Sequence, residues 1–260
     1  MTKRGATIVV MVMCVQYSAL LMSPRATAGF PLSTEDTGTL GQGRSKIELT
    51  GEWSEERENG SQELALTQEI SMVHGLADNF NVFFTLPYRG VRTEDTTGNN
   101  TTVQGIGDVK FGMKWRYLKH GGWGLGVKAV ISAPSGEDAE KLGKGKSTQA
   151  INAIFSYETG PWEFDLDLGY KRNRNTLNQR EQLGCMSAAV IRSLDSRWNL
   201  MADIGTARNK SKNSSQVPAY FGVGLSFAMT KDLSLDMGVK HGLNSVETDF
   251  GGLLGVKLRF

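Results

Sequence analysis

Between residues 106 and 118 apolar and polar side chains alternate, and that period of two constrains the fold more than any other feature. Val109, Phe111, Met113, Trp115 and Tyr117 fall on one face; Asp108, Lys110, Gly112, Lys114 and Arg116 fall on the other. A helix would scatter these residues around its axis, whereas a strand sorts them. The pattern recurs in Trp162, Phe164, Leu166, Leu168 and Tyr170, set against Glu163, Asp165, Asp167, Gly169 and Lys171. Reading turns from clusters of Gly, Asp, Asn, Pro and Ser predicts twelve strands. They cover 45–57, 61–74, 80–93, 106–118, 123–133, 148–158, 162–171, 182–194, 197–207, 217–229, 233–241 and 249–260. The usual globular strand has roughly five or six residues. Most of these are about as long as, or longer than, the nine to eleven residues a tilted strand needs to cross a bilayer.

The connections alternate in length. Those at 75–79, 119–122, 159–161, 195–196 and 230–232 are short. Those at 94–105, 134–147, 172–181 and 208–216 are long and polar, with 99–102 and 210–215 reading as solvated extracellular loops; 58–60 and 242–248 are shorter members of this set. Short turns on one side and long loops on the other are the pattern of bacterial outer-membrane barrels. The expected fold is therefore all-β: a transmembrane antiparallel up-and-down β-barrel of about twelve strands. An even strand count puts both termini on the short-turn, periplasmic side. In lipid every backbone donor and acceptor needs a protein partner, so the first and last strands must pair.

The start of the chain fits export. Residues 1–28 read as a signal peptide: Lys3 and Arg4, an apolar run from Ala6 to Met22, and Ala26-Thr27-Ala28 before Gly29. Cys14 lies within it, which leaves Cys185 as a lone cysteine with no disulfide to form. Residues 29–44 lack alternation and read as a periplasmic segment, either a free tail or a small plug whose Glu35-Asp36 pair meets basic residues of the wall. Residues 45–260 read as the barrel.

A soluble β-sandwich would alternate equally, with the apolar face inward. Three features favour lipid. The tryptophans lie on the apolar face, most of them near the short turns; Phe80, Tyr117, Trp123, Tyr157, Trp162, Trp198, Phe227 and Phe260 form a predicted aromatic girdle, as expected at a lipid–water boundary. The polar face carries many glycines, among them Gly112, Gly124, Gly126, Gly184, Gly224, Gly238 and Gly255, read as making space in a lumen. The last strand alternates up to a terminal phenylalanine, Phe260, an ending that resembles the signal read by the outer-membrane assembly machinery.

If the apolar rows face lipid, the rows between line the lumen. Predicted pore-lining residues are Glu48, Glu52, Glu69, Arg89, Lys110, Lys114, Arg116, Lys128, Asp165, Asp167, Lys257 and Arg259. Acids gather on the first two strands and again around 158–167, with bases between them and on the last strand. Such arcs either bias what passes through a water-filled pore or fill a narrow lumen with ion pairs.

Pro31-Leu32-x-Thr34-x-Asp36-Thr37-Gly38-Thr39, Gly75-Leu76-Ala77-Asp78-Asn79, Leu86-Pro87-Tyr88 and Gly105-x-Gly107-Asp108-x-Lys110-x-Gly112-x-Lys114-x-Arg116 carry a resemblance. The sequence resembles the outer-membrane channels associated with meta-pathway degradation of phenol. That resemblance implies passage of small molecules, with aromatic or hydrophobic compounds as the expected solutes.

Net charge is +2, from 29 basic and 27 acidic residues, without the basic excess of a nucleic-acid binder. Three histidines and two cysteines are few for metal or triad chemistry, so no metal, cofactor or catalytic residue is expected. The alternatives are an outer-membrane enzyme acting on lipid, with His241 and Ser245 as its only candidate pair, and a closed structural or adhesion barrel. The expected partners are outer-membrane lipid, the assembly machinery and a small solute, in a Gram-negative outer membrane.

Overall fold

The computed structural model describes residues 29–58 and 61–260; the predicted signal peptide lies outside them. The described residues form thirteen strands: β1 (Ser45–Glu58), β2 (Ser61–Ala77), β3 (Phe80–Glu94), β4 (Asn100–Ile106), β5 (Lys110–His120), β6 (Trp123–Ser132), β7 (Thr148–Thr159), β8 (Trp162–Arg172), β9 (Gln182–Ser193), β10 (Trp198–Ala207), β11 (Ala219–Ala228), β12 (Leu233–Gly242) and β13 (Phe250–Arg259). All pairings are antiparallel. β1 bonds to β13 and β2 to β3, which closes the sheet. β4 and β5 both pair with β3 and share one place in the wall, so the barrel has twelve positions.

The break between β4 and β5 has a local cause. Opposite it stand Leu86 and Pro87, and proline has no N–H to give the ladder. The register slips by one residue, from Tyr88↔Ile106 to Thr85↔Lys110. The Gly107 N–H donates to the Pro87 carbonyl at 2.9 Å. This corrects the loop predicted over 94–105: Asn100–Ile106 pair with β3, and only 95–99 turn. Asn100, Thr101 and Thr102, read as loop, are strand. The turn is wound on Asp95, whose carboxylate accepts from the Thr97 N–H and hydroxyl and the Asn99 N–H.

The strand predicted over 106–118 starts four residues later, at Lys110, because Ile106 ends β4; the other strand ends agree with the sequence within three residues. Gly121-Gly122 makes a two-residue turn between β5 and β6, where φ is 56° and 85°. Two successive positive φ values match the twist of a hairpin, and glycine adopts them without strain.

Among the described residues, thirty-nine large hydrophobic side chains are exposed and eight hydrophobic residues are buried, while eighteen polar or charged residues are buried. A water-soluble barrel has the opposite arrangement. On β8, Leu166 is 36% exposed, whereas its neighbours Asp165 and Asp167 are 3% and 5% exposed. At about 25 cal/mol per Å² of apolar surface, an exterior of this kind is stable against hydrocarbon rather than water. Leu166 lies midway along β8. Leu166→Arg is expected to destabilise the barrel by about 2–4 kcal/mol in lipid vesicles, measured by urea unfolding; an unchanged midpoint would place that face away from lipid.

The aromatics cluster at the short-turn end. Trp123 meets Tyr157 at 4.4 Å between ring centres, Trp198 meets Phe227 at 4.5 Å, and Trp115 meets Tyr117 at 5.8 Å. The Arg192 guanidinium lies 5.0 Å over the Trp162 ring, close to its neighbour Phe164. Phe80 pairs in register with Trp115, and Phe260 is exposed at the end of the chain. Trp53 and Phe250 form an edge-to-face pair toward the opposite end.

Candidate functional site

Among the described residues charged groups converge in the lumen, and its geometry is set by residues 29–44. These do not form a strand. They run around the inner wall and are bonded to it along their length. The Phe30 carbonyl accepts from Lys257 Nζ at 2.7 Å. Leu32 packs with Ala189, Ile191 and Met201 of β9 and β10, the only buried apolar cluster among the described residues. The Ser33 and Thr34 N–H groups donate to Asp203 Oδ2 at 2.9 and 3.2 Å, and the Thr34 and Tyr220 hydroxyls reach the same oxygen at 3.2 Å. The Thr37 N–H donates to Ser156 Oγ, and the Leu40 N–H to Asn81 Oδ1. Gly43 bonds to the Gly75 carbonyl, and β1 then begins beside the chain end, with Ser45 and Phe260 exchanging both backbone bonds.

Wall glycines make this path possible. A Cβ at Gly255 would stand 2.6 Å from the Phe30 ring, one at Gly224 2.6 Å from Pro31, and one at Gly238 2.9 Å from Pro31. Gly124 and Gly126 face Thr37. These glycines were read from sequence as leaving open space; they instead accommodate the inner segment. Gly184 is a different correction: it lies opposite Tyr170, on the outward row, with nothing near it.

Glu35 and Asp36 reach the basic arc. Glu35 pairs with Lys128 and with Lys114 at 3.4 Å; Asp36 pairs with Lys114 at 2.9 Å. Asp36 is 2% exposed and the Lys114 side chain 13%. Burial alone would raise the Glu35 pKa, but Lys128 and Lys114 hold it down at about 2. A released segment would have an ordinary value near 4.5. The pair therefore anchors the segment fully above that value and loses its hold as the pH falls toward 2. Conductance is expected to stay flat from neutral pH to about 4.5 and to rise below it, with Glu35→Gln removing the acid step.

The segment leaves a cavity of about 1080 Å³ between itself and the wall of β1–β3, β5, β6 and β13. It extends from Lys231, Asp232 and Phe260 at the short-turn end to Glu69, Thr85, Lys110 and Val130 higher up. Of the twelve predicted pore-lining residues, Glu48, Glu69, Lys110, Lys114, Lys128, Lys257 and Arg259 border it. The other five do not. Glu52 lies on the inward row of β1, above it. Arg89 reaches the Lys141 carbonyl in the loop after β6, and Arg116 the Asp78 carbonyl in the β2–β3 turn. Asp165 and Asp167 face inward but are buried, bonded to Ser156 and Asn152.

The charged arcs interlock within the wall. Lys110 pairs with Glu69 at 2.5 Å, Lys46 with Glu48 at 3.0 Å, and Lys257 with Asp236 at 3.0 Å and Glu48 at 3.9 Å. Asp203, Asn81 and Ser156 were not singled out from sequence. Their inward parity was legible, but a partner more than 100 positions away, as for Asp203 and Ser156, leaves no local signal. His241 is exposed at the end of β12, on the outer face. Among the described residues no group of His, Cys, Asp and Glu is placed to hold a metal.

The family model described as "Putative MetA-pathway of phenol degradation" matches residues 34–260, nearly the whole described chain. The chain belongs to that family. The fold of this chain is also found in solved structures. An outer membrane channel from Pseudomonas putida F1 superposes with a TM-score of 0.72 at 17% identity, over 88% of this chain and all of that one. The NanC porin gives 0.54 at 10% identity, over 82% and 98%. The translocator domain of the autotransporter NalP from Neisseria meningitidis gives 0.54 at 12% identity, over 98% of both chains. No curated protein matches by sequence.

Proposed function

We propose that this protein is a passive outer-membrane channel of a Gram-negative bacterium for small solutes with aromatic or other apolar bodies, narrowed at rest by residues 29–44 acting as a plug. The observation that carries the reading is the 1080 Å³ cavity along one side of the lumen, reaching Lys231, Asp232 and Phe260 at the short-turn end and flanked by a segment held through side-chain contacts rather than strand pairing. Phe30, Leu40, Val73, Phe83 and Val130 give the cavity an apolar side. Twelve strands lie between barrels filled by side chains and barrels with an aqueous channel, and here the interior keeps that space. Family membership and two structural neighbours, an outer membrane channel and a porin, support the same reading.

On this reading the short-turn end, where both ends of the barrel meet, faces the periplasm. The outward row of β13, ending in exposed Phe260, is the surface the assembly machinery would take. The test is planar-bilayer recording of the refolded mature protein, with phenol and toluene added as probe solutes. Stepwise conductance that either solute alters supports the channel reading; a barrel that inserts and never conducts, even without residues 30–42, would refute it.

A further inference from the structure

We infer that the solutes this lumen is built to pass are organic anions, in particular aromatic carboxylates. The inference rests on the channel reading and adds a charge to the solute. Cations outnumber acids around the lumen cavity and gather again under the long loops.

The outer level lies under the long loops. Backbone bonds tie the loops carrying Lys144 and Lys210 to the loop that follows Lys171 on β8: the Thr176 N–H donates to the Lys144 carbonyl at 3.0 Å, and the Arg180 N–H to the Lys210 carbonyl at 2.8 Å, while Arg89 on β3 reaches the Lys141 carbonyl of the Lys144 loop. Among the described residues the Lys171 and Lys210 ammonium groups have no acceptor, and Lys144 has only the neutral Gln179 amide oxygen. The acid set among them, Asp108, is committed to the Gly136 and Lys144 N–H groups, and the nearby Asp138 accepts from Thr176. Burial, then Lys210, Lys171 and Arg89, push the Lys144 ammonium down to about 8, with Asp108 opposing. Like charges crowded with little compensation favour an incoming anion.

The second level is the cavity. Eight cationic and five acidic side chains border it. Lys128 lies 5.3 Å over the Phe83 ring, with Val130 also in the lining. Ammonium beside ring and aliphatic wall is the chemistry that holds a carboxylate joined to an aromatic body. The carboxylate now on Lys128 is the chain's own Glu35. The plug thus fills the cationic site with a surrogate for the solute's carboxylate, and a solute of that charge competes with it. Two of those eight, Arg44 and Arg259 at the short-turn mouth of the cavity, have no acid bonded to them.

The experiment uses the full mature protein in planar bilayers, with benzoate and its neutral analogue benzyl alcohol as probes. In a KCl gradient the reversal potential should show chloride favoured over potassium roughly threefold or more. Benzoate should change the current at concentrations where benzyl alcohol does not. Lys128→Met should remove the benzoate effect, and Lys171→Gln with Lys210→Gln should halve the chloride preference or more. Heat-modifiable migration on gels verifies that each variant is a folded barrel. A conducting protein that favours potassium, or that answers equally to benzoate and benzyl alcohol, would overturn this inference alone. A protein that never conducts would overturn it together with the channel reading.

Discussion

Removing residues 30–42 is expected to raise single-channel conductance roughly threefold or more, because twelve strands enclose a lumen wide enough for water once nothing crosses it. The barrel itself should survive the deletion. Its closure is made by β1 against β13, from Lys46↔Arg259 to Glu55↔Phe250, and Ser45 bonds directly to Phe260. The segment supplies Leu32 to the small inner cluster, but the exterior rows and the backbone ladder owe it nothing. The deletion also strips Lys114 and Lys128 of Glu35 and Asp36. Anion preference should therefore increase along with conductance. Unchanged conductance in a folded barrel would mean that residues 30–42 do not limit the pathway.

Lys114→Met is expected to release the segment without deleting it. Lys114 is the shared partner of Glu35 and Asp36, and Asp36 is almost wholly buried. Breaking a buried pair by removing one partner costs about 3–5 kcal/mol, since the other charge is left uncompensated. That corresponds to a shift of about two to four powers of ten in the balance between inserted and released segment. The same variant carrying Glu35→Gln and Asp36→Asn should narrow again, because the stranded charges are gone. Open-channel recordings of the two variants decide the matter. If both stay narrowed, the segment is held by Asp203, Ser156 and wall packing, and the ion pairs are incidental.

Much of this architecture is legible in the sequence because lipid enforces it. Where one face meets hydrocarbon, the alternation is nearly strict, as in β5 and β8. β4 was missed for the converse reason. Asn100, Thr101, Thr102 and Gln104 put polar groups on both faces, as suits a strand rising beyond the hydrocarbon, where no greasy row is required. Inward parity told which residues face the lumen but not which of them remain free. Asp165 and Asp167 lie on the correct row yet are buried, because the segment crosses on that side. The wall glycines were ambiguous in the same way. A missing side chain reads alike whether it leaves space for water or for Phe30 and Pro31.

The direction in which the apolar rows point underlies every functional statement above. Spin labels placed singly at Phe111 and Lys110, with the protein in lipid vesicles, report it directly. The label at Phe111 should collide readily with oxygen dissolved in lipid and resist a water-soluble nickel chelate, and the label at Lys110 should do the reverse. A Phe111 label shielded from lipid, in a chain that stays dispersed in water without detergent, would contradict the account.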